Sequence, residues 1–289
     1  PYTTLFRSEE NITEASNVLH VSQPTLSRQI ADLEEELGKK LFVRTNRNTF
    51  LTEDGVRLRQ RAEEILSLVD KASEELREDS SDEFSGTIRI GAAETALMRH
   101  VTDIFSDLRK QHPRIQFMIY SGNADDVEEK LDHGLLDFGI LMEPVNRRRY
   151  EHIYLPGSDH MGILMRKDAP FAGMDSITPA ELPNIPLLIS SREANTIFDV
   201  ENWSGGRLRL DHLRLVGRFN LLRNASYLVD AGIAGAMTID HLMDTGAGDL
   251  TFIPLDPPVE IRSLLVWKKH QFFQKAAELF LEHAKEAFR

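Results

Sequence analysis

The chain has 289 residues, 41% hydrophobic and 28% charged, so it is long enough for more than one domain with a full-sized core. It contains no cysteine, which excludes disulfides and metal sites built on thiolates. No apolar run approaches the about eighteen residues of a membrane span, and the N-terminus lacks a signal-like core. We therefore expect a cytoplasmic protein with no membrane partner.

The net charge of −12 is unevenly distributed. Residues 1–61 hold nine Lys or Arg and nine Asp or Glu, residues 62–86 hold two and nine, and residues 87–289 hold 23 and 28. The excess acid is densest between residues 62 and 86. A local basic patch elsewhere can still bind an acidic polymer, because salt screens repulsion beyond about 8 Å.

Two helices joined by a tight turn are predicted near the N-terminus. Asn11 can cap a first helix that runs to His20. A second helix follows, with Pro24 in its first turn and Gly38 at its end. Its spacing predicts one buried stripe of four residues: Leu26, Ile30, Leu33 and Leu37.

Polar side chains cluster at the start of this second helix. Arg28 lies nearly opposite the stripe with Pro24 close by, Thr25 and Ser27 lie on the two shoulders, and Ser22 or Gln23 caps the helix. Such residues at a helix N-terminus can enter a major groove, where arginine reads guanine edges. On spacing alone, an ordinary helical hairpin with a polar face is an equally good interpretation.

The next stretch favours DNA binding. Residues 41–51 read as strand, turn and strand, and between Glu36 and Glu53 there are four basic residues and no acidic one: Lys39, Lys40, Arg44 and Arg47. A basic hairpin beside a helix-turn-helix is typical of a winged helix. We assign Arg44 and Arg47 to DNA phosphates.

At this point the chain resembles a known family. The N-terminal signature of LysR-type transcriptional regulators is similar at many positions: Ala15, Leu19, Ser22, Gln23, Leu26, Ser27, Ile30, Leu33, Glu34, Leu37, Gly38, Leu41, Phe42, Arg44, Leu51, Thr52 and Gly55. The resemblance implies a winged helix-turn-helix DNA-binding domain over residues 1–52. Residues 1–8 do not resemble the opening of that family, so we expect a truncated first helix there.

A long linker helix is predicted over residues 53–79. Six of its residues repeat at alternating spacings of four and three, which is a heptad seam: Leu58, Ala62, Ile65, Val69, Ala72 and Leu76. The seam predicts a homodimer or homotetramer, since reading two half-sites of DNA requires two copies. An amphipathic helix lying on its own domain is the alternative.

Residues 80–86 form a polar hinge, and residues 87–289 alternate strands and helices. The order β-α-β-α-β up to Met142 predicts a mainly parallel sheet. A second unit of the same kind follows, with a helix over Ile239–Met243, a strand over Ile261–Trp267 and a closing helix over Phe272–Phe288.

This region resembles the periplasmic-binding-protein-like (type 2) effector domain of LysR-type regulators. The fold class is therefore multidomain, with an all-α winged helix-turn-helix and long linker helix before an α/β two-lobed domain. The resemblance implies lobe I at about 87–155 and 268–289, and lobe II at about 161–265. It also implies chain crossings near Glu143–His160 and Leu264–His270, with a small-molecule effector bound between the lobes.

Ten residues that lie at strand ends or at the crossing are the expected effector-binding set: Glu94, Thr95, Ser121, Gly122, Asn123, Met142, Ser190, Ser191, Arg192 and Asn220. For each of them alone, a helix cap or ordinary structural role is the alternative. Arg192 suits a carboxylate ligand, whereas Glu94 suits a cationic or hydroxylated one.

The sequence contains no nucleotide-binding, zinc-protease or nucleophile-elbow motif, so no catalytic residue, cofactor or metal is predicted. The first hypothesis is a DNA-binding transcriptional regulator with double-stranded operator DNA and a small effector as partners. The alternative is a ligand-binding protein whose DNA-binding domain is impaired by truncation. An enzyme on the same scaffold is the third hypothesis.

Overall fold

The computed structural model describes residues 16–17, 20–44, 49–77, 85–191, 198–246 and 248–289. The chain divides into two compact units, Pro1–Arg77 and Glu78–Arg289, and each is described by itself. Most of the helix predicted from Asn11 to His20 falls outside the described residues. Within the described ranges, no helix has both the length and the apolar character needed to cross a bilayer.

Helix α1 (Gln23–Leu37) begins and ends where its sequence indicates. The Oγ of Ser22 accepts a hydrogen bond from the N–H of Thr25 at 3.3 Å, and Pro24 lies in the first turn, which needs no N–H there. Gly38 ends the helix in the left-handed conformation at φ 64°, which glycine adopts without strain. Because the helix begins at Gln23, the polar residues predicted to contact DNA lie at its N-cap and in its first two turns.

One face of α1 is buried, but not through the whole predicted stripe. Leu26 and Ile30 are buried against Val21 and Phe42, whereas Leu37 is 46% exposed. Glu34 is buried instead, with 8% of its surface exposed. The prediction was wrong for Leu37, because hydrophobic spacing shows which face is apolar but not where the helix passes beyond a small core.

A two-stranded hairpin follows α1. Strand β1 (Phe42–Arg44) pairs antiparallel with β2 (Thr49–Leu51). Thr52 joins the hairpin to helix α2 (Glu53–Arg77), since its Oγ1 donates to the carbonyl of Lys40 at 2.6 Å and accepts from the N–H of Gly55 at 3.0 Å. A Cβ at Gly55 would lie 2.2 Å from the Leu41 carbonyl oxygen, so only glycine permits this close approach.

Glu34 ties α1 to the hairpin. Its Oε1 accepts hydrogen bonds from the N–H groups of Leu41 and Phe42 at 2.8 and 3.1 Å, and its Oε2 accepts one from Nζ of Lys40 at 2.6 Å. Burial favours the neutral carboxyl, but the bonds from Lys40 and the two backbone groups outweigh it. The pKa of Glu34 therefore lies below its ordinary value.

The first lobe of the second unit contains a five-stranded sheet. Its strands are β3 (Gly86–Ala92), β4 (Ile115–Ser121), β5 (Phe138–Met142), β6 (Tyr150–Tyr154) and, from the end of the chain, β13 (Ser263–Lys268). The strand order is β4-β3-β5-β13-β6. Strand β3 runs parallel to β4 and β5, and β13 runs antiparallel to β5 and β6.

Helices cover both faces of this sheet. Helices α3 (Met98–Gln111) and α7 (Lys275–Ala287) pack on one face, where Val101 and Phe280 are fully buried with Ile88 and Ile90 of the sheet. Helix α4 (Ala124–Asp132) packs on the other. Burial on both faces explains why β5 is a continuous run of apolar residues and glycine rather than an alternating one.

The second lobe contains the other large sheet. Its strands are β7 (Asp159–Arg166), β8 (Pro186–Ser190), β9 (Arg214–Phe219), β10 (Gly235–Ile239), β11 (Leu250–Pro254) and β12 (Glu260–Ile261). The order is β11-β7-β10-β8-β9, and β12 also pairs with β7. Helix α6 (Leu222–Asp230) covers one face, and the short helix α5 (Val200–Trp203) belongs to the core on the other.

Strand β3 runs parallel to β4 and β5, as the β-α-β-α-β order up to Met142 predicted. Two further expectations need correction. Each sheet as a whole is mixed, because β7, β11 and β13 run antiparallel to their neighbours. The helix predicted over Ile239–Met243 is absent; Ile239 ends β10, and the residues after it form a turn. A strong apolar pattern too short for a helix was the source of this error.

The second crossing also lies elsewhere than predicted. The run Ile261–Trp267 is divided between the sheets, since Ile261 pairs in the second lobe and Ser263–Lys268 pairs in the first. Lobe II therefore ends near Arg262 rather than at about 265. The first crossing, at residues 155–158, lies beside it, because the N–H of Leu155 donates to the carbonyl of Ser263 at 2.9 Å.

Replacing Glu34 with Gln is expected to destabilise the first unit by about 1–3 kcal/mol at neutral pH, because the ionic bond to Lys40 is lost in a buried position. The folded-state pKa is depressed, so the carboxylate stabilises the fold above the unfolded-state pKa and loses this effect as the pH falls through the folded-state pKa. The difference between wild type and variant should therefore shrink in acid.

Hydrogen exchange of peptides spanning α1 and the hairpin, measured across a urea series at neutral and acidic pH, tests this expectation. Glu35→Gln is the matched control, because Glu35 is the exposed neighbour on the same helix. Equal losses of protection in the two variants would contradict the role of Glu34.

Candidate functional site

The N-terminal end of α1 carries most of the residues predicted to contact DNA. Five are exposed and Ser27 is half-buried; the exposed ones are Ser22, Gln23, Pro24, Thr25 and Arg28. The hydroxyl oxygens of Ser22 and Thr25 lie 2.8 Å apart, so both also serve the cap of the helix. Arg47 and the side chain of Arg44 lie outside the described residues. The structure thus groups six of the eight predicted residues at one helix end.

A cavity of about 150 Å³ is lined by residues of both lobes of the second unit. Six of the ten predicted effector-binding residues line it: Glu94, Gly122, Asn123, Met142, Ser190 and Asn220. Each lies at, or just beyond, the carboxyl end of a strand. That edge is where ligands of open α/β sheets bind, which explains why residues distant in sequence meet here.

Three other predicted residues do not line the cavity. Ser121 and Ser191 are exposed, and Thr95 is buried beside the crossings. Arg192 lies outside the described residues.

Most of the cavity wall that the second lobe provides lies outside the predicted set of residues. This wall is largely apolar and includes Met161, Ile189, Phe198, Phe219, Met237 and Ile239, with Thr238 as a polar member. Apolar residues in a cavity wall and in a core follow the same strand pattern, so periodicity could not separate them. The position of Thr238 near the carboxyl end of a strand was the one available signal.

Glu94 connects the two lobes across the cavity. Its Oε2 accepts a hydrogen bond from the N–H of Leu222, the first residue of α6, at 2.5 Å. The N-cap residue of α6, Leu221, provides no side-chain cap. A carboxylate of the first lobe therefore satisfies a free N–H of a helix in the second, at the end where the helix dipole favours negative charge.

A buried polar cluster lies next to Glu94, where the chain crosses between the lobes. The hydroxyl of Thr95 donates to Oδ2 of Asp159 at 2.5 Å and accepts from the N–H of Leu97 at 3.1 Å, and the hydroxyl of Ser263 lies 3.4 Å away. Burial raises the pKa of Asp159, and the nearby charge of Asp240 adds to this effect, while the bond from Thr95 opposes it.

Comparisons with known proteins cover both units. The family described as the LysR substrate binding domain matches residues 81–289, and the bacterial regulatory helix-turn-helix protein, lysR family, matches residues 6–56. The first match alone spans more than half of the chain. The chain belongs to the LysR family of transcriptional regulators.

Individual LysR relatives agree over almost the whole length. The chain is 26% identical to the uncharacterized HTH-type transcriptional regulator YvbU of Bacillus subtilis, over 96% of this chain and 94% of the relative. The solved LysR regulator CbnR has a similar fold, with a TM-score of 0.73 at 19% identity over 96% of this chain and 94% of CbnR. Full-length CbnR in complex with its target DNA gives a TM-score of 0.69 at 18% identity, over the same shares of the two chains.

Membership of the LysR family confirms the first hypothesis from the sequence, a transcriptional regulator with a helix-turn-helix domain and an effector-binding domain. The alternative of a ligand-binding protein with an impaired DNA-binding domain gains no support over it. The family is one of transcriptional regulators rather than enzymes.

Replacing Glu94 with Ala is expected to loosen the link between the lobes, because the N–H of Leu222 loses its acceptor. The amide of Leu222 should exchange its hydrogen about fivefold faster or more, as measured by NMR or mass spectrometry. Asn220→Ala is the matched control, since it removes the acceptor of the neighbouring Leu221 N–H within the same lobe. Unchanged protection of Leu222 in the Glu94 variant would argue against the link.

Proposed function

We propose that this LysR regulator binds double-stranded operator DNA as a homodimer or homotetramer and controls transcription in response to a small-molecule effector in the cavity between its lobes. The observation that carries the proposal is the combination of an exposed polar end on α1 with a cavity bridged by Glu94 in the other unit. Related structures bound to DNA, such as CbnR with its target, support the DNA partner.

Base reading is assigned to the N-terminal end of α1. Arg28 is exposed on the face opposite Leu26 and Ile30, which are buried. A guanidinium in this position can form two parallel hydrogen bonds to a guanine in the major groove. Gln23, Thr25 and Ser27 are assigned to bases or phosphates nearby, and Arg44 and Arg47 to phosphates beside the hairpin.

Oligomer formation is assigned first to the seam of α2. Ile65 and Val69 are 61% and 53% exposed, and Leu58 and Ala62 are half-exposed. Large apolar side chains at heptad spacing on an exposed helix favour a coiled coil with a second copy. Ala72 and Leu76 continue the seam, although the side chain of Leu76 lies outside the described residues.

Residues 62–86 carry nine acidic and two basic residues, and two copies of this negative charge repel each other. We therefore expect further contacts between the copies to stabilise the oligomer. The effector-binding unit offers apolar edge strands for this purpose. Strand β4 is an edge of the first sheet and exposes Met118 and Ile119 at 42% and 44%. Strand β9 is an edge of the second sheet and exposes Leu215 and Val216 at 38% and 50%.

Regulation follows from linkage between the two binding events. An effector shifts the DNA-bound arrangement only by its difference in affinity for the two arrangements, commonly about 1–3 kcal/mol. The protein is proposed to act in the cytoplasm, where its DNA is, and not to be an enzyme.

Arg28→Ala is expected to weaken binding to the specific operator by about 1–3 kcal/mol and to affect scrambled DNA much less. Titrations of both DNA sequences by fluorescence anisotropy measure this difference. Arg57→Ala is the control, because Arg57 is an exposed arginine of the same unit that pairs with Glu53 on α2. An equal loss of affinity for specific and scrambled DNA would contradict base reading and indicate that Arg28 contacts a phosphate instead.

Ile65→Asp and Val69→Asp are expected to weaken the oligomer at least about tenfold, since each places a charge in the apolar seam. Sedimentation velocity across a concentration series measures the dissociation. Ser67→Asp adds the same charge to the opposite face of α2 and should leave assembly unchanged. If Ser67→Asp dissociates the oligomer to the same extent, the seam is not the contact between the copies.

A further inference from the structure

A second recess, of about 340 Å³, lies within the second lobe and adjoins the cavity. Its described walls are mostly apolar, and its polar lining residues are His160, Thr238, Asp240, His241 and Thr245. Two histidines and an aspartate therefore meet in one recess, outside the set of residues predicted to bind the effector. We call this the histidine recess.

The pairing of two strands holds His160 against Asp240. Strand β10 runs antiparallel to β7 with Ile239 opposite Met161, so the next residues outward, Asp240 and His160, also lie opposite each other. The N–H of Asp240 donates to the carbonyl of His160 at 2.9 Å, and the N–H of His160 donates to Oδ1 of Asp240 at 3.0 Å. The sheet, rather than a free loop, thus positions these two residues.

The Asp240 carboxylate lies beside both imidazoles. Its Oδ2 is 3.2 Å from Nδ1 of His160, within a hydrogen bond, and 3.2 Å from Nδ1 of His241. The Asp240 side chain is 14% exposed, whereas those of His160 and His241 are 44% and 68% exposed. A carboxylate that binds one ring nitrogen orients the imidazole and leaves the other nitrogen free, which is the usual arrangement around a metal-binding histidine.

His241 also has an unusual backbone conformation. Its φ of 59° lies in the left-handed region, which costs a residue other than glycine on the order of 1 kcal/mol. Such strain is often found where a side chain is held for a ligand. In this turn it accompanies the approach of the His241 imidazole to Asp240.

The charges around the histidine recess favour a cation. The buried carboxyl of Asp159 lies close enough for the charges of Asp240 and His241 to act on it. None of the described residues that line the recess is lysine or arginine. Two acidic groups repel an anion, and imidazole nitrogens suit zinc, nickel and copper, whereas magnesium and calcium prefer oxygen ligands.

We infer that His160 and His241 bind a divalent transition-metal ion such as Zn²⁺ through their Nε2 atoms, with Asp240 as the residue that orients the His160 ring. The described side chains of the recess are not already arranged around one point, so the exposed His241 ring rotates toward the ion. Water completes the tetrahedral coordination. The inference does not rest on the proposed function.

Calorimetric titration of the untagged full chain with ZnCl₂ is the first test, and we expect one ion per chain. His160→Ala and His241→Ala should each weaken zinc binding about tenfold or more, and Asp240→Asn about tenfold. Because the chain has ten histidines, the matched control is His212→Ala, which removes an exposed histidine 3.9 Å from Asp211 in the same lobe. This control should bind zinc as wild type does, and MgCl₂ should not bind at the same concentrations.

NMR of wild-type protein with ¹⁵N-labelled histidine is the second test, and it does not depend on any variant. Zinc should change the Nε2 resonance of His160 strongly, while Nδ1 keeps the hydrogen that it shares with Asp240. The fluorescence of Trp203 and Trp267, which both lie in the effector-binding unit, checks that each variant of the first test is folded.

Four results would overturn the inference: no zinc binding by wild type, equal affinity for magnesium, zinc binding that survives both His160→Ala and His241→Ala, or coordination through Nδ1 of His160. None of these results concerns operator binding, which the DNA titrations measure without added metal. A failure of the proposed function would appear there instead, as loss of sequence preference.

Discussion

The hydrogen bond from Thr95 to Asp159 holds the place where the chain passes between the two lobes. Asp159 opens β7 on one crossing, Ser263 opens β13 on the other, and Thr95 lies between them at the end of the loop after β3. All three side chains are buried, so water does not compete for their hydrogen bonds, and the cluster holds the two chain crossings together. Glu94 directly precedes Thr95 in the chain. The hydrogen bond of Thr95 to Asp159 therefore also limits where the Glu94 carboxylate can lie.

Glu94 and Asp159 illustrate two kinds of link between parts of one fold. Asp159 is 1% exposed and accepts its hydrogen bond from the buried Thr95, so removing that donor would cost about 1–3 kcal/mol. Glu94 lines a cavity and is half-exposed, so water can replace the N–H of Leu222 as its partner at small cost. A ligand in the cavity can therefore act on the second link while the first stays intact, which is what a two-state sensor requires.

The sequence predicted local features well where one residue type serves one purpose. Ser22, Pro24 and Gly38 mark the ends of α1, and the strand ends that carry Glu94, Asn123 and Asn220 do meet in one cavity. It failed where the same pattern serves two structures. The run Ile261–Trp267 is equally apolar in either sheet, so its division at Arg262 depends on tertiary pairing. Glu34, rather than Leu37, is buried in the small core, where its carboxylate accepts three hydrogen bonds.

Thr95 and Thr238 show why the chemistry of the site lay beyond sequence reasoning. Both are buried threonines near the carboxyl ends of apolar strands, and nothing in their neighbours distinguishes them. Their difference is spatial: Thr95 faces a carboxylate from 64 residues away, whereas Thr238 borders a cavity. A hydroxyl that the fold satisfies stabilises the domain, whereas one that borders a cavity faces whatever fills it. Only the folded structure separates these two positions, because the residue type and its place near a strand end are the same.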